Sequence, residues 1–131
     1  MEAKHSRPVS ERVIGCAYAV SNRLGAGFLE AVYENALCVE LARGGLQFER
    51  QKAFDICYRG TLIGHYVADI VVKAELLVEL KALSQLTTEH EAQVMNYLKA
   101  SGLTVALLFN FGTPRLTMRR IVLNYDDSRI V

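Results

Sequence analysis

The chain has no run approaching the roughly 20 consecutive apolar residues that a membrane-spanning helix requires, so a helical membrane span is excluded. The opening residues, Met1 to Pro8, carry Glu2, Lys4, His5 and Arg7 without the apolar stretch of a secretory signal, and a cytoplasmic location is expected. Cysteine is scarce: Cys16, Cys38 and Cys57 are odd in number and show no C-x-x-C spacing. That pattern argues against a disulfide framework and against a zinc or iron–sulfur site, and the thiols are expected to be buried. Polar tracts and low-complexity runs are missing, which argues against disorder. A charge bias is missing too. The net charge is +1, so composition does not single out nucleic acid, although carboxylates gathered at one place would offset basic residues elsewhere. There is no glycine-rich phosphate loop, no Gly-x-Ser-x-Gly and no cysteine beside a histidine, which argues against nucleoside triphosphate use and against a serine or cysteine nucleophile.

What is present suits one compact domain. The 131 residues are 51% hydrophobic and 22% charged, enough for one sizeable core, expected over residues 10–123 with a loose tail at 124–131. Ser10 is a candidate N-cap for a first helix with Val13, Ile14, Ala17, Tyr18 and Leu24 at helical spacing. After Gly25-Ala26-Gly27 a second helix presents Leu29, Val32, Tyr33, Ala36, Leu37, Val39 and Leu41, and Gly44-Gly45 ends it. Ala53 to Tyr58 and Leu62 to Val72 read as strands joined by a turn at Arg59-Gly60, and Leu76 to Leu80 as a short apolar strand running into Lys81. Thr87-Thr88 caps a third helix through Ala100, and strands follow at Leu103 to Phe111 and Arg115 to Leu123. The order α-α-β-β-β-α-β-β predicts an α/β fold: a mixed central sheet flanked by helices.

The segment that can carry chemistry is Ala68-Asp69-Ile70 followed by Val78-Glu79-Leu80-Lys81. Strand side chains alternate between faces, so Glu79 and Lys81 point the same way, about 7 Å apart. A neighbouring strand can bring Asp69 to the same spot. Converging carboxylates repel unless a cation lies between them, and hard oxygen ligands suit Mg2+ or Mn2+. Such an ion can polarise a phosphoryl oxygen and lower the pKa of a bound water, with a lysine beside it to orient that water or neutralise developing charge. An acidic residue two before a lysine occurs also at Glu2-Ala3-Lys4, so the spacing alone selects nothing; the apolar strand around Glu79 and Lys81 does. Gln93 and Tyr97 are four apart on one helical face, with Glu89 and His90 a turn earlier, and Glu30 and Tyr33 are three apart at the start of the second helix. Arg50, Lys52, Arg59, Arg115, Arg119 and Arg120 are candidates for phosphate contacts.

Together these residues resemble the GxxExxY family within the PD-(D/E)XK nuclease superfamily. The resemblance runs through Gly27, Glu30 and Tyr33, Glu49-Arg50-Gln51, Asp69, Val78-Glu79-Leu80-Lys81-Ala82, Gln93 to Leu98, and Leu107 to Gly112, in order over Ser10 to Val122. It implies a RecB-like site in a restriction-endonuclease-like core. Asp69, Glu79 and Glu30 would bind Mg2+ or Mn2+, Lys81 would assist the chemistry, and Gln93 and Tyr97 would form a Gln-x-x-x-Tyr pair that supports the site and contacts DNA. Relatives often carry a basic residue just before the metal-binding aspartate, where this chain has Val67-Ala68. The implied activity is metal-dependent hydrolysis of phosphodiester bonds in DNA. A catalytically inactive nucleic-acid- or partner-binding module on the same fold is the alternative, and the partner set is nucleic acid, with a homodimer admissible and no membrane.

Overall fold

The computed structural model describes residues 7–123, so the expected tail at 124–131 lies outside the described residues. In chain order the elements are α1 (Val9–Leu24), α2 (Glu30–Arg43), β1 (Phe48–Tyr58), β2 (Thr61–Val72), β3 (Leu76–Lys81), α3 (Thr88–Ser101), β4 (Val105–Asn110) and β5 (Thr117–Val122). The five strands form one mixed sheet in the order β1-β2-β3-β4-β5; β3 and β4 are parallel and every other neighbouring pair is antiparallel. The α/β mixed-sheet expectation holds in element order and in strand pairing.

Alternation along the strands sorts the core into two layers. Ile70, Val72, Val78, Leu80, Leu107 and Phe109 pack against α1 and α2, which contribute Val13, Ala17, Val20, Tyr33, Leu37 and Leu41. On the opposite face Val71, Leu77, Ala106, Leu108 and Ile121 meet Val94 and Leu98 of α3. The parallel β3–β4 pair requires a crossover connection, and α3 provides it across that second face.

Several local expectations are corrected. Ser10 lies inside α1, whose N-cap position is Pro8, because a proline with φ fixed near −65° is pre-set to lead into a helix. Tyr18 is exposed, as are Leu29, Val32 and Val39 of the face expected on the second helix; of that face Tyr33, Leu37 and Leu41 are buried, and Glu34 and Cys38 join them. Of the thiols only Cys38 is buried, and Cys57 is exposed near the β1–β2 turn. β1 starts at Phe48 rather than Ala53. No described helix is long and apolar enough to cross a membrane.

The feature that makes the site is where β2 and β3 part. Their ladder consists of Ile70↔Val78, Val71↔Leu77 and Val72↔Leu76. Before Ile70, β2 keeps only β1 as a partner, pairing on to Tyr58↔Thr61, so the two strands run past the sheet as an arm. Arg59 (φ 50°) and Gly60 (φ 80°) make the two-residue turn at its tip, a conformation suited to a hairpin's right-handed twist. The inner side of the arm, including Phe54, Ile56, Tyr66 and Ala68, is covered by the layer that contains α3.

Candidate active site

Parting strands leave backbone groups without ladder partners, and here side chains fill the gap. The Asp69 N–H donates to Glu79 Oε2 at 3.0 Å, and the Leu80 N–H donates to Asp69 Oδ2 at 2.9 Å. Each carboxylate therefore satisfies a main-chain group of the other strand just beyond the last paired residues. Tyr66, two residues short of Ala68 on the arm and 5% exposed, donates its hydroxyl to the same Glu79 Oε2 at 2.6 Å. Its ring stacks between Phe54 (6.1 Å between centroids) and Tyr97 of α3 (3.7 Å).

Glu79 is 7% exposed, and burial together with the charge of Asp69 pushes its pKa up to about 7, against the opposing pull of the Tyr66 hydroxyl, the Asp69 N–H and Lys81. Asp69 is raised as well, first by burial and then by Glu34, while the Leu80 N–H, Lys81 and Gln51 act the other way. Burial is also the largest cause raising Tyr66 and Tyr97, with the Glu79 charge next in both; a hydrogen bond from Gln93 partly opposes the shift at Tyr97. Lys81 is half-buried at the end of β3, in register with Asn110 of β4.

Lys81 is held from behind. Asn110, with no exposed surface, accepts the Leu83 N–H at 2.8 Å and donates to the Leu83 carbonyl at 3.0 Å, while the Phe111 N–H donates to the Lys81 carbonyl at 2.8 Å. Gly112 lies so close that a Cβ there would overlap the backbone of Ala82 and Leu83. Phe111 in turn stacks on Tyr33, 4.8 Å between centroids.

The start of α2 borders the same place. Tyr33 is buried, donates to the Gly25 carbonyl at 2.6 Å and accepts from the Phe28 N–H at 3.1 Å, fixing the loop in which Gly27 takes φ 113°. Tyr33 thus points inward while Glu30 stays exposed, although three residues separate them. Glu30 senses the cluster: burial raises its pKa, Asp69 adds to the rise and Lys81 opposes it. Glu34, one turn further on, is 7% exposed and is bound by Arg50 Nη2 at 2.9 Å and Gln51 Nε2 at 3.1 Å. Arg50, a candidate for phosphate, is therefore engaged by Glu34 and Asn35. Gln51, between the Arg50↔Ile70 and Lys52↔Ala68 pairs of the β1–β2 ladder, takes φ 48° and turns its amide toward Glu34 of α2.

The structure therefore links Asp69, Glu79, Lys81 and Tyr97 into one cluster. Glu30 lies at its border and Gln93 on the exposed turn of α3 preceding Tyr97. Glu89 is exposed, and His90 caps α3, accepting the Thr87 N–H at 3.0 Å. Among the described residues no three His, Cys, Asp or Glu side chains converge closely enough to hold a metal ion by themselves. The donor chemistry nevertheless fits Mg2+ or Mn2+: two neighbouring carboxylates of raised pKa supply hard oxygen, and Mg2+ commonly takes one or two carboxylates and retains several waters. Sequence reasoning missed Tyr66 and Glu34. Neither carries a local spacing signal, and their roles exist only once β1, β2 and α2 are in register.

A family model of the PD-(D/E)XK nuclease superfamily matches residues 7–121. No curated protein sequence matches the chain. Among solved structures, one described as the crystal structure of SSO0001 is similar with a TM-score of 0.59 at 18% identity; the match covers 76% of this chain and 52% of that one, about half of its length. At that identity the likeness concerns the fold alone, and with the family match it agrees with an α/β core of the restriction-endonuclease-like kind. With the match spanning nearly all of the described sheet and helices, the chain belongs to the PD-(D/E)XK nuclease superfamily.

Proposed function

We propose that the protein is a divalent-metal-dependent deoxyribonuclease of the GxxExxY type, with a RecB-like arrangement of its site residues. The observation that carries this reading is the reciprocal bonding of Asp69 and Glu79 at the parting of β2 and β3, beside Lys81. Asp69 and Glu79 would hold Mg2+ or Mn2+, with Glu30 at the border completing the set; when bound, the ion would supply Lewis-acid activation of the scissile phosphate and of an attacking water. The chain's own contribution is positional. Lys81 places an ammonium group next to the carboxylates, where it can orient the water or meet negative charge growing on the phosphate. Asn110 and the Phe111 N–H keep the end of β3 in place, and Tyr97 with Gln93 borders the cluster from α3. The same reading takes residues 1–131 as a single domain, with its core over residues 10–123, acting on DNA in the cytoplasm.

Incubation with labelled single-stranded, duplex and branched DNA, and with RNA, in Mg2+ and Mn2+ tests it. Cleavage of DNA by the wild type is expected, with Asp69→Asn and Lys81→Ala each reducing the rate by at least about a hundredfold while remaining folded. Absence of cleavage on every substrate in both metals would reject the enzyme. One observation favours the second reading, an inactive nucleic-acid- or partner-binding module: Arg50, a candidate phosphate contact on β1, is taken up by Glu34. Nucleic-acid binding without cleavage and without Mn2+ binding would select that module.

A further inference from the structure

The Glu79 carboxylate receives two hydrogen bonds, and both fall on one oxygen. The Tyr66 hydroxyl at 2.6 Å and the Asp69 N–H at 3.0 Å bind Oε2, and no hydrogen bond among the described residues occupies Oε1. No fully buried side-chain polar atom among the described residues lacks a partner, so Oε1, which has none, keeps some surface open to solvent. The Tyr66 ring is confined: it is 5% exposed and stacks on Tyr97 and, at longer range, on Phe54.

We propose that Tyr66 is a positioning residue for Glu79, locking Oε2 so that Oε1 alone is presented to a divalent cation. This rests on the metal-dependent reading above and assigns a role to a residue outside its motifs. A carboxylate with one oxygen pinned by two donors binds an ion through the other in a single orientation; held by the Asp69 N–H alone, it can rotate or chelate with both oxygens. Outer partners of this kind fix ligand orientation and commonly change metal affinity by ten- to a hundredfold when removed. The stack adds a connection to α3, since whatever Tyr97 contacts bears on the ring that holds Glu79.

Tyr66→Phe keeps the ring and its stacking and removes only the hydroxyl. Calorimetric titration of Mn2+ into the nucleic-acid-free protein is expected to show affinity weaker by about tenfold. Cleavage at low Mn2+ should fall and recover at high Mn2+, with KM for DNA unchanged. Identical Mn2+ affinity and identical metal dependence in wild type and Tyr66→Phe would overturn the positioning role and leave the nuclease reading intact. No Mn2+ binding by the wild type would overturn both. If Tyr66→Phe does not fold, the infrared difference spectrum of the wild type on adding Mn2+ decides: single-oxygen coordination is expected, and chelation by both carboxylate oxygens would overturn the proposal.

Discussion

At Glu79 the fold holds a carboxyl at a pKa of about 7 against 4.5 for the ordinary side chain, with burial as the main cause and Asp69 next. Below the ordinary value both folded and unfolded chains hold the proton, and the shift costs nothing. As pH rises from about 4.5 to 7 the unfolded chain releases its proton first, so folding stability falls; above that both are ionised and the loss is constant, of order 3 kcal/mol. Metal-free protein is therefore expected to melt at a lower temperature at pH 7.5 than at pH 5, with added Mg2+ or Mn2+ restoring part of the difference at the higher pH. Asp69→Asn removes the like charge but keeps an oxygen able to accept the Leu80 N–H, so it should raise the metal-free melting temperature at pH 7.5 even as it abolishes cleavage. A melting temperature flat from pH 5 to 7.5, or lowered by Asp69→Asn, would show that the two carboxylates do not share a repulsive environment.

At the scale of elements, turns and strand ends separate what the sequence displays from what it conceals. The Arg59-Gly60 turn is legible because a glycine between two strand-like runs marks a tight reversal, and Gly60 takes φ 80° as the hairpin needs. The β2–β3 turn carries no such sign, yet Lys73 (φ 53°) and Ala74 (φ 56°) are both left-handed without glycine. The short ladder of Ile70↔Val78 to Val72↔Leu76, closed by a Glu75 N–H to Val72 carbonyl bond of 3.0 Å, overrides the local preference. Left-handed alanine is unfavourable by roughly 1–2 kcal/mol, so Ala74→Gly is expected to stabilise the fold by about 1 kcal/mol, read by chemical denaturation, with cleavage unchanged. The start of β1 is hidden for a different reason. Phe48-Glu49-Arg50-Gln51-Lys52 lacks strand alternation because it forms the edge of the sheet, where exposed charge guards against further pairing, and because Gln51 leaves the extended conformation at φ 48°.

Across the whole molecule, the candidate site draws on α2, both strands of the arm, β3, α3 and the end of β4. Asp69, Glu79 and Lys81 are legible because charged residues interrupt apolar strands and because period-two alternation fixes the relation of Glu79 to Lys81. Tyr66, Glu34 and Gln51 are not, since their partners lie 13, 16 or 17 residues away and depend on register. Asn110 stands in a recognisable segment, but its work is visible only in space. It binds both main-chain groups of Leu83 and accepts the Gly112 N–H at 3.1 Å, joining the ends of two parallel strands immediately behind Lys81. Buried and bonded through both its oxygen and its nitrogen, such an amide leaves main-chain groups stranded when removed, so Asn110→Ala should destabilise the protein by about 2–3 kcal/mol in urea denaturation. Leu83 would also lose its side-chain tether to β4, leaving the Phe111 N–H to hold the Lys81 carbonyl alone and the ammonium group less firmly placed. Cleavage by the folded fraction of Asn110→Ala is therefore expected to fall at least about tenfold in kcat with Mn2+ binding retained, because the carboxylates are held from the β2 side and by Tyr66 rather than by β4. Equal loss of Mn2+ affinity and kcat would instead mean that Glu79 and Lys81, two residues apart toward the end of β3, move together and are placed by one device.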